Sequence, residues 1–187
     1  MTTAGVVLAA GGGTRFGRPK AAVEIGGEPL AVRSARAVRL GGCDEVVVVV
    51  GPIDVDLDPT DHLVRHEGWA TGIGSSLAAG LDAAADLGAD RALVVLCDQP
   101  WIGAPVVRAV LDAAPPGRAA LAAATFGGRR SHPVLLGADR WAGVRDLAVG
   151  DVGARPYLER HVDDVVTVPA DGLGDPADID RPDDLPG

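Results

Sequence analysis

The segment Gly11-Gly12-Gly13-Thr14-Arg15-Phe16-Gly17-Arg18-Pro19-Lys20 sets a run of glycines beside two cations, Arg15 and Lys20. Glycine lets backbone N–H groups approach a phosphate chain without interference from Cβ and permits positive φ, so the segment suits the cradling of an anion. Two better-known loops are excluded. A dinucleotide-binding loop begun at Gly11 needs glycine at position 16, which is Phe16. A P-loop begun at Gly12 reaches Gly17 on schedule but then meets Arg18 and Pro19 in place of Lys and Ser/Thr. Lys20 adds a second signal, because the chain has 16 arginines and this one lysine. A compact ammonium on a flexible stem offers a point charge that a planar guanidinium does not reproduce. The bland alternative is a solvated surface loop whose lysine is there by chance.

Cys97-Asp98-Gln99-Pro100 closes an apolar run. A carboxylate at the carboxyl edge of a sheet is placed to hold Mg²⁺, which takes one or two carboxylates together with substrate phosphates. Read alone, Asp98 is equally an Asp that starts a turn. The tail segment Asp178-Ile179-Asp180-Arg181-Pro182-Asp183-Asp184 is the source of a second ligand, although acidic proline-rich tails are more often simply solvated.

These groups need a frame. Residues 6–9, 45–50, 92–97 and 164–168 are β-branched runs without alternation, the pattern of strands buried on both faces in a mostly parallel sheet. Helical spacing fills 29–40, 75–87 and 104–114. Ser75 or Ser76 is the expected N-cap of the second helix, and Pro115-Pro116-Gly117 stops the third. Two strands at 119–125 and 131–136 make a hairpin across 126–130, followed by short helices at 140–149 and 153–160. The tail, 170–187, is rich in Asp, Pro and Gly and reads as irregular. The expectation is an α/β fold forming one domain over 1–187, an open sheet with right-handed crossovers. Ligands in such sheets bind beyond the carboxyl ends of strands. The distinctive segments follow Ala9, Val50 and Cys97, which are strand ends of that kind.

Composition narrows the classes. Of 187 residues 47% are apolar, enough for a sizeable core, while only 3% are aromatic. A base-stacking nucleic-acid binder needs exposed aromatics, and a net charge of −9 with no basic block repels a phosphate backbone, so no nucleic-acid partner is expected. Cys43 and Cys97 lie far apart and suggest neither a disulfide framework nor a zinc site. Residues 5–10 are too few to span a bilayer and no basic leader region precedes them, so no membrane partner and a cytoplasmic location are expected.

Six segments in order complete a pattern: Leu8-Ala9-Ala10-Gly11 with Arg15, Gly17 and Lys20; Trp69 with Gly72, Gly74, Ser75 and Ser76; Cys97-Asp98-Gln99-Pro100; Ser131-His132-Pro133-Val134; Gly150-Asp151 with Gly153 and Arg155; and Asp178-Ile179-Asp180. Together they resemble the molybdenum-cofactor nucleotidyltransferases over nearly the whole chain, closest to the cytidylyltransferase branch. The resemblance implies a single-domain, Rossmann-like nucleotidyltransferase fold of the GT-A type, Mg²⁺, a nucleoside triphosphate and a molybdopterin-type acceptor. It sets the nucleotide against Leu8, Ala9, Ala10, Gly11, Gly12, Gly13, Arg15, Lys20, Gly72, Ser75 and Asp98. It makes Arg15, Lys20 and Asp98 catalytic, and Asp98 and Asp180 the metal ligands, with Asp178 competing for the second place. It sets Ser76, Gln99, His132, Asp151 and Arg155 against the acceptor, where a structural histidine before Pro133 is the plain alternative for His132 and a helix cap for Asp151. Ala10 stands where guanylyltransferases usually carry Gly, which points to CTP. Gly13 and Phe16 depart from a common Ser and Met, and neither change removes a reacting group.

The reaction so implied is attack by an acceptor phosphate on the α-phosphorus of CTP, with transient contact to a molybdoenzyme or its maturation factor for delivery. Two rivals remain open at this level: transfer to a sugar, lipid or coenzyme-precursor phosphate, and a non-catalytic carrier of the cofactor.

Overall fold

The central strands owe their place to sequence that is apolar on both sides. In the computed structural model, which describes residues 1–13 and 16–185, β1 (Thr3–Ala9) is buried along its whole length. The remaining elements in chain order are β2 (Glu24–Ile25), β3 (Glu28–Pro29), α1 (Leu30–Gly41), β4 (Glu45–Val50), β5 (His62–Arg65), α2 (Ile73–Asp86), β6 (Arg91–Leu96) and α3 (Ala104–Ala113). They continue as β7 (Leu121–Phe126), β8 (Arg129–Gly137), α4 (Trp141–Leu147), α5 (Arg155–Arg160) and β9 (Val166–Pro169). The seven-stranded sheet has the order β5-β4-β1-β6-β8-β7-β9, and within it β8 runs against its neighbours while the other pairings are parallel. The mostly parallel α/β sheet read from the sequence is therefore the fold.

Alternation along β1 splits the core. Val7 and Ala9 join the layer of α1 and α3, while Ala4, Val6, Leu8 and Ala10 join that of α2, α4 and α5. Leu8 pairs in register with both Val49 and Leu96, so β1, β4 and β6 end side by side and their following loops leave from one edge. Because β8 is antiparallel to β6, with Val134 opposite Val94, residues 130–132 run past Val94 toward that same edge.

Three expectations need amendment. The N-cap of α2 is Gly72, not Ser75 or Ser76, and the helix begins at Ile73. Gly72 has φ +114°, and a Cβ there would lie 2.4 Å from the Gly150 carbonyl carbon. A Cβ on Gly74 would lie 1.9 Å from Ala148 O. Close approach of the 148–151 segment, rather than a capping hydroxyl, sets this helix start. Strand β5 escapes the sequence reading because it is a four-residue strand at the sheet edge, only half buried and flanked by Asp and Pro.

The third amendment concerns the tail, which is irregular as expected but is not a loose solvated segment. The Ile179 N–H donates to Asp98 O at 2.8 Å, and Ile179 is 1% exposed. Full burial of such a side chain contributes about 1.5–3 kcal/mol, enough to hold a short irregular stretch against the end of β6. Ile179→Ala is therefore expected to cost about 2 kcal/mol or more by denaturant unfolding, the low end for a core Ile→Ala change, because a tail collapses more readily than a helix. A midpoint unchanged from that of the parent protein would show that the tail is not anchored there.

Candidate functional site

Two adjoining cavities open at the carboxyl edge, of about 410 and about 310 Å³, and share Leu8, Ile73, Leu96 and Asp151 as a common wall. The larger is bounded by Leu8, Ala10, Gly11 and Gly12 after β1, by Gly72 and Ser76 at the start of α2, and by Lys20, Trp69 and Asp98. A helix N-terminus faces this space, as a phosphate-bearing ligand requires. The smaller is bounded by Gln99, Ser131, His132, Asp151, Arg155 and Asp178, with Leu77, Val94, Val134 and Leu158 as an apolar wall.

Lys20 stands between two carboxylates from opposite ends of the chain. Its Nζ donates to Asp98 Oδ2 at 3.0 Å and to Asp180 Oδ1 at 2.5 Å. Burial alone would push the Lys20 pKa down, but the Asp180 and Asp98 carboxylates outweigh it and hold the ammonium above its ordinary value. Two carboxylates that converge on one cation also suit a hard divalent ion with phosphate oxygens completing its shell. No cluster of three or more acidic, His or Cys side chains is present among the described residues, so such an ion would depend on its substrate for the rest of its ligands.

The competition between Asp178 and Asp180 resolves geometrically. Asp180 reaches Lys20, whereas Asp178 Oδ1 accepts from Gln99 Nε2 at 2.9 Å and lines the smaller cavity. Burial raises the Asp178 pKa, Asp98 and Asp180 add to the rise, and the Gln99 amide partly offsets it. His132 is pushed down to about 4 by burial, with Arg155 adding to the effect and Asp98 opposing it. The imidazole is thus neutral at physiological pH. Burial pushes the Cys97 thiol up, which makes it an inert core group beside Asp98.

Several expected nucleotide contacts lie elsewhere. Ala9 is 2% exposed and faces the α1/α3 layer, because alternation along β1 turns it away from the cavities. Gly13 has φ +58°, and its carbonyl accepts from the Phe16 and Gly17 N–H groups, both at 2.8 Å, so it shapes the loop rather than its wall. Ser75 lines neither cavity. Its hydroxyl donates back to Gly72 O at 2.8 Å and lies 2.9 Å from His66 Nε2. Ser76, expected on the acceptor side, borders the larger cavity instead, one residue further around the helix. Arg15 lies outside the described residues. The remaining expected acceptor contacts, Gln99, His132, Asp151 and Arg155, do line the smaller cavity.

Two residues escaped individual notice. Trp69 packs against the glycine loop so closely that a Cβ on Gly12 would meet its ring at 2.5 Å. A tryptophan in a chain with so few aromatics was the available signal. Arg130, read as part of a hairpin turn, lines the smaller cavity and donates to Leu158 O at 3.2 Å.

Comparison with known proteins bears on this geometry. Residues 5–165 match the MobA-like NTP transferase domain family. Similar proteins include nicotine blue oxidoreductase of Paenarthrobacter nicotinovorans, 38% identical over 83% of this chain and 81% of that one. Molybdenum cofactor guanylyltransferase of Rhodobacter capsulatus is 31% identical over 99% of this chain and 94% of its own. Among solved structures, a homolog of Mycobacterium tuberculosis rv0371c from Mycobacterium sp. strain JC1 superposes with a TM-score of 0.80 at 28% identity, covering 97% of this chain and 92% of that chain.

Proposed function

Because this chain belongs to the MobA-like NTP transferase domain family, a nucleotidyltransferase family, we propose that it transfers a nucleoside monophosphate from CTP to the phosphate of a molybdopterin-type acceptor and releases pyrophosphate. The observation that carries this reading is the Asp98–Lys20–Asp180 cluster at the edge of two adjoining cavities. An acceptor phosphate oxygen forms the new bond to the α-phosphorus while the bond to the bridging oxygen of pyrophosphate breaks. That oxygen is already ionised at neutral pH, so no general base is needed, and the work is positioning and electrostatics.

Gly11, Gly12 and the start of α2 hold the phosphate chain, and Lys20 with Arg15 offsets the charge that builds on the departing pyrophosphate. Arg130 and Arg155 draw the acceptor phosphate into the smaller cavity, where neutral His132 can hydrogen-bond without adding a charge. Asp98 and Asp180 would hold Mg²⁺, whose contribution is neutralisation of phosphate charge. The protein is strongly acidic overall, so two anionic substrates share the cleft only because cations are concentrated there.

Ala10 borders the larger cavity but is only 6% exposed, its methyl packed toward α2. One largely covered methyl discriminates weakly, so CTP is expected to be favoured over GTP by about tenfold in kcat/KM. Competition kinetics in which GTP serves at least as well would overturn the base assignment and leave nucleotidyl transfer standing.

The same assay screens four NTPs and several acceptors for pyrophosphate release. It follows oxidation of reduced nicotinamide cofactors in parallel, since one similar protein carries an oxidoreductase name. Hydride transfer without pyrophosphate release would sink the transferase reading. The paired carboxylates argue against that outcome, because they would repel a dinucleotide pyrophosphate that arrived without a cation.

A further inference from the structure

Gln99 is 8% exposed and forms part of the wall of the smaller cavity. Its Nε2 donates to Pro176 O at 3.1 Å and to Asp178 Oδ1 at 2.9 Å. Both partners are acceptors, which fixes the amide with nitrogen toward the tail and Oε1 pointing away from those contacts. Gln99 Oε1 is buried and has no hydrogen-bond partner among the described residues. Native proteins rarely leave a buried carbonyl in that condition without a functional reason. Asp178, in the same wall, gives Oδ1 to Gln99 and keeps Oδ2 as a second acceptor.

The surroundings state what kind of molecule would satisfy these atoms. Leu77, Val94, Val134 and Leu158 offer an apolar surface to a flat ring, and Arg130 and Arg155 offer charge to a phosphate. Taking this cavity as the acceptor side, as the proposed function does, we infer that Gln99 Oε1 and Asp178 Oδ2 form a two-acceptor edge. That edge selects acceptors whose nitrogen heterocycle presents adjacent N–H donors, the 2-amino lactam pattern. An analogue lacking one donor leaves the buried oxygen unpaired, the kind of mismatch a hydrogen-bonding site rejects strongly.

The same donor pattern occurs on a guanine base, so the test must separate the two sources. Fluorescence titration of the full chain, without NTP or metal, uses pterin, 3-methylpterin with its ring N–H blocked, and guanosine. The parent protein is expected to bind pterin about tenfold more tightly than 3-methylpterin. Gln99→Met, which removes the acceptor at similar length, should bring that ratio near one. Gln99→Glu loses the amide donor to the tail but keeps an acceptor oxygen, and should retain the preference.

Equal binding of the two pterins by the parent protein would overturn the inference. So would loss of the ratio in both variants alike, which would mark Gln99 as a tether for the tail and nothing more. A Gln99-dependent preference carried by guanosine and not by pterin would overturn the assignment to the acceptor. None of these readouts depends on turnover, so a failed pyrophosphate assay would strike the transferase reading separately.

Discussion

Asp98→Asn is expected to lower kcat/KM for pyrophosphate release by about 10²–10³-fold, the effect of losing one preorganised charge-stabilising group. The substitution keeps the shape of the side chain and removes the charge that draws a cation to the carboxyl end of β6. Stability should hardly move. Two isolated like charges in a cleft would repel, and from the sequence alone removing one of them promises slight stabilisation. The structure reverses that expectation, because the Lys20 ammonium sits between Asp98 and Asp180 and already compensates both. Asp98→Asn therefore costs up to about 1 kcal/mol, or about 2–4 °C in Tm for a chain of this size. A carrier without catalysis would show acceptor binding independent of Mg²⁺ and indifferent to the substitution. Unchanged pyrophosphate release in Asp98→Asn, or metal-independent release in the parent protein, would defeat the mechanism.

The sheet was legible because its strands are apolar on both faces. The runs at 45–50 and 92–97 correspond to β4 and β6 nearly residue for residue, since β-branched residues without alternation have few other uses. The site was legible where chemistry is attached to a strand end, as at Asp98, Gly11 and Gly12. It was less legible where packing decides. Ser75 and Ser76 are neighbours with the same chemistry, and only the approach of Gly150 to Gly72 turns Ser76 into the cavity and Ser75 away from it. Asp178 and Asp180 lie two residues apart in one motif, and burial of Ile179 between them turns one toward Gln99 and the other toward Lys20. Arg130 was hidden for a different reason: a hairpin turn rich in Gly and Arg looks solvated until antiparallel pairing carries it to the cavity.

Lys20→Arg is expected to lower kcat/KM by about 10²-fold despite the retained charge. The sequence alone places Lys20 on the triphosphate, whereas here its Nζ lies in contact with both carboxylates and the side chain is 15% exposed. A compact ammonium on a flexible stem can leave those carboxylates for phosphate oxygens within the same cleft, because it makes no fixed fork with either partner. A guanidinium can pair bidentately with a carboxylate, a geometry more strongly held and more directional. Arginine at position 20 would thus hold the acidic pair closed to a divalent ion and present a bulkier head to the leaving pyrophosphate. The KM for Mg–NTP should rise and kcat should fall together. As the sole lysine, Lys20 should also be the one side-chain amine whose acylation abolishes turnover, with protection by Mg–NTP. A second variant separates charge from shape: Lys20→Gln frees the carboxylates, so it should bind Mn²⁺ more tightly than Lys20→Arg while turning over no faster. Near-parental kcat/KM in Lys20→Arg, or equal Mn²⁺ affinity in the two variants, would remove the part assigned to this residue.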